Sequence, residues 1–247
     1  MKKFAVIVAG GSGLRAGGDM PKQFQKLLGI PMLWWSVRAF RAEDPATNIV
    51  VVVHRDYLHS FDELVLSALP DEERLSVNLV EGGADRLASV SAGLRECLRL
   101  CEMDCEPDRV DRGEEFAIYV AVHDAARPML TPDLIRRGWE AVRETGGAVP
   151  VVPVVDSLRE VVDDKSRSVD RARFRAVQTP QVFDLRQLYS AYSDIPDSVR
   201  PGLTDDASVA EMAGIGITLF PGCPANMKVT GPQDFALAET LLKCQNS

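Results

Sequence analysis

Six runs rich in Val, Ile, Leu and Phe recur along the chain, and stretches with helical spacing lie between most of them. The runs are FAVIV (4–8), NIVVVVH (48–54), LSVNLV (75–80), FAIYVAVH (116–123), GAVPVV (147–152) and GITLF (216–220). They are nearly continuous in apolar side chains instead of alternating, the pattern of strands buried on both faces under helices. The helical stretches are PMLWWSVRAFRA (31–42), LHSFDELVLSAL (58–69), RLASVSAGLRECLRL (86–100) and TPDLIRRGWEAVRET (131–145). In the last, Thr131 is placed as N-cap, Pro132 at the first helical position and Asp133 in the first turn. Such alternation predicts an α/β fold with a single doubly wound, mostly parallel sheet. At 247 residues the chain reads as one domain, 1–247.

The rhythm breaks from Pro153 to Gln178, PVVDSLREVVDDKSRSVDRARFRAVQ, where short alternating runs flank a polar DDKSRS turn. This predicts a projecting β-hairpin arm at about 153–178. An unsupported hairpin is marginal in water, so the expectation is a homodimer formed through the arm. Met103–Glu115 is charged, contains Pro107 and Gly113, and reads as a surface loop.

Directly behind the first strand stands VAGGSGLRAGGDMPKQF (8–24), with five glycines, Arg15 and Lys22. Three phosphate-binding patterns compete for it. Gly11-x-Gly13-x-x-Ala16 satisfies the dinucleotide fingerprint, but Gly17, Gly18 and Pro21 interrupt the helix that pattern requires. The acidic residue expected about 20 positions on is also absent. A P-loop needs Gly before the lysine and Ser or Thr after it, and here Pro21 and Gln23 flank Lys22. The third pattern is an extended loop whose glycines let backbone N–H groups approach a triphosphate, with Arg15 and Lys22 as cationic clamps. Locally, a glycine-rich turn carrying two solvated cations stays open beside it.

Composition narrows the partners. A net charge of −8 excludes a broad basic surface for nucleic acid, so cations that bind phosphate must be gathered locally. No apolar run approaches the roughly 18 residues of a membrane span, so no membrane partner is expected. The start MKKFAVIVAGG has about five apolar residues before its glycines, too few for the ~7–15-residue core of a secretory signal, so the expected location is cytoplasmic. Cys97, Cys101 and Cys105 recur every four residues on one helix face, and His54, His59 and His123 are scattered, so no protein-held metal site is expected.

Beyond the loop, five further blocks follow in order: GGADRLASVSAGL (82–94), VHDAARP (122–128), VQTPQVF (177–183), LTDDASVAEM (203–212) and NMKVTGPQDFALAE (226–239). Together with AGGSGLRAGGDMPKQF they resemble the signature segments of the 2-C-methyl-D-erythritol 4-phosphate cytidylyltransferase family along essentially the whole chain. The resemblance implies a Rossmann-like nucleotidyltransferase. It would transfer a cytidylyl group from CTP to 2-C-methyl-D-erythritol 4-phosphate and release pyrophosphate, as a step of non-mevalonate isoprenoid precursor synthesis. Mg²⁺ is implied as cofactor, bound mainly through the CTP phosphates.

By the same resemblance, Arg15 and Lys22 stabilise charge on the CTP phosphates, while Arg171 and Lys228 position the sugar phosphate. Ala9, Gly10, Gly11, Gly13, Gly83, Arg86, Ser89 and Ala125 frame the nucleotide. Asp124, Arg127, Ser157 and Thr179 contact the sugar phosphate. Competing readings exist for several. Arg86 or Arg127 could pair with an acidic neighbour, Asp124 could cap a turn, and Arg173 or Arg175 could replace Arg171. Thr204, Asp205 and Asp206 read first as an N-cap and first helical turn. The chain departs from the family in Ala16, where methionine is usual, and in Ser157, where threonine is common. The rival functions are a ribitol-5-phosphate cytidylyltransferase, which shares the loop, and a non-catalytic nucleotide-binding regulator.

Overall fold

The computed structural model describes residues 1–10, 20–74, 77–103 and 117–245. In chain order the strands are β1 (Lys2–Ala9), β2 (Lys26–Leu27), β3 (Ile30–Pro31), β4 (Asn48–Val53), β5 (Asn78–Glu81), β6 (Ile118–Asp124) and β7 (Gly146–Pro153), then β8 (Leu158–Val162), β9 (Lys165–Val169), β10 (Arg175–Val177), β11 (Gln181–Asp184) and β12 (Gly216–Pro221). The helices are α1 (Met32–Glu43), α2 (Phe61–Leu64), α3 (Arg86–Met103), α4 (Pro132–Thr145), α5 (Leu185–Ser193), α6 (Asp206–Met212) and α7 (Pro232–Gln245). The central sheet runs β10-β7-β11-β6-β1-β4-β5, and β12 also pairs with β7. β1, β4, β5 and β6 are mutually parallel, as is β12 with β7, while β10 and β11 are antiparallel to their neighbours.

The continuous apolar runs have a direct explanation. Alternate residues of one strand enter different cores: Ala5, Ile7 and Ala9 pack with Phe40, Trp34 and Trp139 of α1 and α4. Phe4 and Val6 pack on the other face with Val90, Leu94, Leu188 and Val209 of α3, α5 and α6. A strand covered on both faces leaves no place for a polar alternation. α4 begins as expected, with Thr131 Oγ1 accepting from the Leu134 N–H at 3.3 Å, and it ends on Gly146 at φ 91°. That left-handed backbone suits glycine at a helix C-terminus.

The 58–69 stretch is not one helix. It forms α2 followed by the 3-10 turn Leu66–Ala68, although Phe61, Val65 and Leu69 are buried at helical spacing. The Ser67 hydroxyl donates back to the Glu63 carbonyl, a local bond of the kind that competes with helix continuation. β11, α5 and α7 are elements beyond those read from sequence. The arm is present: β8 and β9 pair into a separate two-stranded sheet around Asp163 and Asp164, both at positive φ, and β10 rejoins β7. Gly11, Gly13, Arg15, Cys105 and the loop beyond Met103 lie outside the described residues, while Cys97 and Cys101 are buried on α3 as one helix face. No described helix is long and apolar enough to cross a membrane.

Candidate active site

Register brings the site together. In the β1–β6 pair Val8 stands opposite Asp124, and in the β1–β4 pair Ala9 stands opposite Val53. The carboxyl ends of β1, β4 and β6 therefore finish at one edge, where open α/β sheets bind ligands. β11 runs antiparallel to β6 with Gln181 opposite Val122, so Thr179 falls beside Asp124. The Asp124 N–H donates to Thr179 Oγ1 at 3.1 Å, and Ala125 N–H donates to the Val8 carbonyl at 3.1 Å.

His123 connects these groups and is fully buried. Its Nε2 faces the Arg127 carbonyl at 3.2 Å and its Nδ1 faces Thr179 Oγ1 at 3.1 Å. A carbonyl only accepts, so Nε2 carries the proton and Nδ1 accepts the Thr179 hydroxyl, which leaves that oxygen to receive the Asp124 N–H. Burial drives the His123 pKa down to about 4, which keeps this neutral tautomer at neutral pH.

Asp124 is the electrostatic centre. Arg86 Nε lies 3.4 Å from its Oδ1, and Lys228 Nζ lies 2.8 Å from its Oδ2. Burial pushes this carboxyl's pKa up, but Arg86, then Lys228 and Arg127, outweigh it and hold it well below the usual carboxylate range. Arg86 also forms a two-pronged pair with the buried Asp206, Nη1 to Oδ1 at 3.0 Å and Nη2 to Oδ2 at 2.7 Å. Burial works against the Arg86 charge, and Asp206 and then Asp124 more than offset it.

A loop across the chain closes the site. Val229 N–H donates to the Ala126 carbonyl at 2.8 Å, and Lys22 Nζ donates to the Val229 carbonyl at 2.6 Å. Lys22 and Lys228 thus meet at adjoining residues of one loop, although Lys22 and Val229 are 207 positions apart. Gln23 Nε2 donates to the Ala9 carbonyl at 2.8 Å, which ties the Lys22 turn to the end of β1. Arg127 Nη1 donates to the Asn226 carbonyl at 2.8 Å, and Asn226 Nδ2 donates to the Thr179 carbonyl at 2.8 Å. Burial lowers the Arg127 pKa, with Asp124 opposing. Arg127 Nε and Asn226 Oδ1 are buried with no hydrogen-bond partner among the described residues.

On the other side lies a narrow backbone shelf. A Cβ on Gly10 would stand 2.9 Å from Ser89 Oγ, and one on Gly83 would stand 2.3 Å from the Ala88 Cβ. Neither position has room for a side chain. Ser89 Oγ accepts the Gly83 N–H at 3.2 Å and donates to the Asp85 carbonyl at 2.8 Å. Glycine at these two positions lets the end of β1 and the turn ahead of α3 pack directly on the start of that helix.

Residues 4–244 match the model of the 2-C-methyl-D-erythritol 4-phosphate cytidylyltransferase family. The chain belongs to this family. A relative of that name from Cereibacter sphaeroides is 40% identical over 247 residues, with 98% of this chain and 97% of the relative covered. One from Bacteroides thetaiotaomicron is 36% identical over 244 residues, covering 98% and 100%. Among solved structures, the 2-C-methyl-D-erythritol 4-phosphate cytidylyltransferase of Thermus thermophilus is similar with a TM-score of 0.69 at 32% identity, covering 98% and 100%.

Of the site residues expected from the family's motifs, the structure gathers Ala9, Gly10, Lys22, Gly83, Arg86, Ser89, Asp124, Ala125, Arg127, Thr179 and Lys228 at this edge. Arg86 stands on two carboxylates, which is the ion-pair reading of that residue. Ser157 and Arg171 remain on the arm and are exposed; Arg171 donates to the Val155 carbonyl within the arm. Arg173 and Arg175 are exposed beside it, and Arg175 turns to the Ala172 and Phe174 carbonyls. Sequence reasoning missed His123, Gln178, Asn226, Asp206 and Tyr192. The first four lie within the quoted blocks, Asp206 having been read as part of a helical turn, whereas nothing in the sequence points to Tyr192.

Proposed function

We propose that this chain transfers the cytidylyl group of CTP to 2-C-methyl-D-erythritol 4-phosphate, forming 4-diphosphocytidyl-2-C-methyl-D-erythritol and pyrophosphate. It would act as a single cytoplasmic nucleotidyltransferase domain bearing an arm, in non-mevalonate isoprenoid precursor synthesis. The observation that carries this reading is that Lys22 reaches the Val229 carbonyl, next in the chain to Lys228, while Lys228 pairs with Asp124 at the carboxyl edge of the sheet.

In the reaction an oxygen of the sugar phosphate attacks the α-phosphorus of CTP in line. The bond to the bridging oxygen breaks, and its electron pair leaves on pyrophosphate. Two anions must approach and charge must build on the leaving group, so positioning and electrostatics do the catalytic work. The shelf of Gly10, Gly83 and Ser89 would seat the nucleotide, and the nucleotide-binding role read for Gly11 and Gly13 belongs to residues outside those described. Lys22, with Arg15, would hold the triphosphate, and Lys228 would hold the attacking phosphate. Arg127 would contact the phosphate of the sugar, and Asp124 would accept its polyol hydroxyls.

Among the described residues no group of three His, Cys, Asp or Glu side chains could hold a metal ion. Asp124 and Asp206 both already face cations, so this donor set suits a Mg²⁺ carried on triphosphate oxygens. Such an ion would withdraw charge from the phosphates.

The role assigned to Arg171 and Ser157 needs the arm to meet a site, its own or that of a second copy. Val161, Val162, Phe174 and Val177 are exposed on the arm, which supports pairing between two copies. Pyrophosphate release should be measured with CTP plus methylerythritol phosphate, plus ribitol 5-phosphate, or alone. Release only with the first is expected. Preference for ribitol 5-phosphate, or none with either, overturns the reading.

A further inference from the structure

The start of α6 carries two adjacent aspartates with different tasks. Asp205 caps the helix: its Oδ1 accepts the Ser208 N–H at 3.0 Å, and Ser208 Oγ accepts the Asp205 N–H at 3.3 Å. Asp206 is therefore not needed as the cap. It points inward, has no exposed surface, and receives the Tyr192 hydroxyl on Oδ1 at 2.5 Å besides the two prongs of Arg86. Burying a carboxylate costs several kcal/mol, roughly, unless its partners are well aligned, and here three donors from α3 and α5 meet that demand.

The consequence falls on Asp124. With both Nη atoms of Arg86 fixed on Asp206, only Nε faces Asp124, and at 3.4 Å that contact is long. A guanidinium released from Asp206 could turn and grip Asp124 through two parallel hydrogen bonds, the geometry it favours with any carboxylate. That grip would compete with hydroxyls for the same oxygens.

We infer that Asp206, oriented by Tyr192, is a positioning residue that holds Arg86 in a partial contact with Asp124 and so keeps the Asp124 carboxylate open to the polyol of the sugar phosphate. This rests on the reading of Asp124 as the hydroxyl-binding group. Asp206 has no exposed surface, and Arg86 is committed to two carboxylates in place of the nucleotide, so the effect of Asp206 passes through Arg86 and Asp124 and belongs to one substrate only.

The test is a kinetic double-mutant cycle of Asp206→Asn and Asp124→Asn, with folding checked by circular dichroism. Asp206→Asn is expected to raise KM for methylerythritol phosphate about tenfold, within the range for disturbing one buried polar contact, while KM for CTP stays within about twofold. In the Asp124→Asn background it should add less than about twofold, because residues acting through one another are not additive. Equal rises in both KM values, or a full tenfold increase on top of Asp124→Asn, overturn the inference while leaving the Asp124 reading intact. Wild-type kinetics in Asp124→Asn itself overturn that reading, and the inference with it. Should Asp206→Asn fail to fold, Tyr192→Phe carries the same cycle. Its expected rise is about two- to fivefold, from loss of one hydrogen bond to a charged group, confined to the sugar phosphate.

Discussion

Asp124 and Glu160 are both carboxylates facing an arginine, one at the end of β6 and one on the arm. The Asp124 side chain is 13% exposed and is held by groups from α3 and from the Lys228 loop, 38 and 104 positions away. Glu160 is 44% exposed, and its partner Arg167 stands only seven positions on, across the same hairpin. The site is fixed by contacts that only the whole fold supplies. Glu160 and Arg167 close their contact within the hairpin, and Val161 and Val162 beside them are exposed. Long-range pairing under low dielectric makes charge geometry specific, and short-range pairing in water does not.

The sharpest way to break the site half of this contrast is Lys22→Ala. Removing one preorganised cation from charge that builds in the transition state is expected to lower kcat by about 10²–10³. Loss of the hydrogen bond to the Val229 carbonyl should itself cost stability only about 1 kcal/mol, far less than the effect on turnover. Steady-state kinetics beside urea unfolding separate the two effects, and near wild-type turnover contradicts the role of Lys22.

His123 gives the next effect. Its folded pKa of about 4 lies below the ordinary 6.5, so as pH falls from 6.5 to 4 the unfolded chain takes up a proton that the native state refuses. Stability is then expected to be full above pH 6.5 and to fall by about 3 kcal/mol by pH 4. Asp124, also lowered in the fold, contributes stability that is lost only below 3.8, so the windows separate. Urea midpoints between pH 4 and 8 should show the slope, and His123→Gln should flatten it.

What was legible in the sequence follows the same division. β1, β4 and β6 were readable because burial on two faces forces an unbroken apolar run, and α4 because Thr131, Pro132 and Asp133 mark its start. β11 was hidden because it opens with Gln181, a polar residue buried only because its amide donates to Asp205 and its carbonyl accepts from Ala207. No local pattern announces such a residue. Lys22, Asp124 and Lys228 could be chosen through the family's motifs, but their meeting could not be derived from spacing. Asp206 looked like part of a helix cap because its burial depends on Arg86, 120 positions away, and on Tyr192.

The arm half of the comparison breaks at its apolar surface. If Val161, Val162, Phe174 and Val177 meet a second copy, Phe174→Asp should weaken association about tenfold or more, because an unpaired charge then has to be desolvated. Analytical ultracentrifugation at micromolar concentration reads this directly, and a wild-type chain that sediments as a monomer contradicts the pairing.

The smallest effect is expected inside the arm itself, and it bears on the opening contrast most directly. Glu160→Gln removes the charge from an ion pair of the same chemical type as the one between Arg86 and Asp206. Because both partners stand in water, the loss should be no more than about 0.5 kcal/mol and should vanish in high salt. Kinetics with both substrates should not move. A loss well above 0.5 kcal/mol, or one that persists in high salt, would mean that Glu160 is buried in the assembled protein, and the arm would then share the long-range constraint that distinguishes the site.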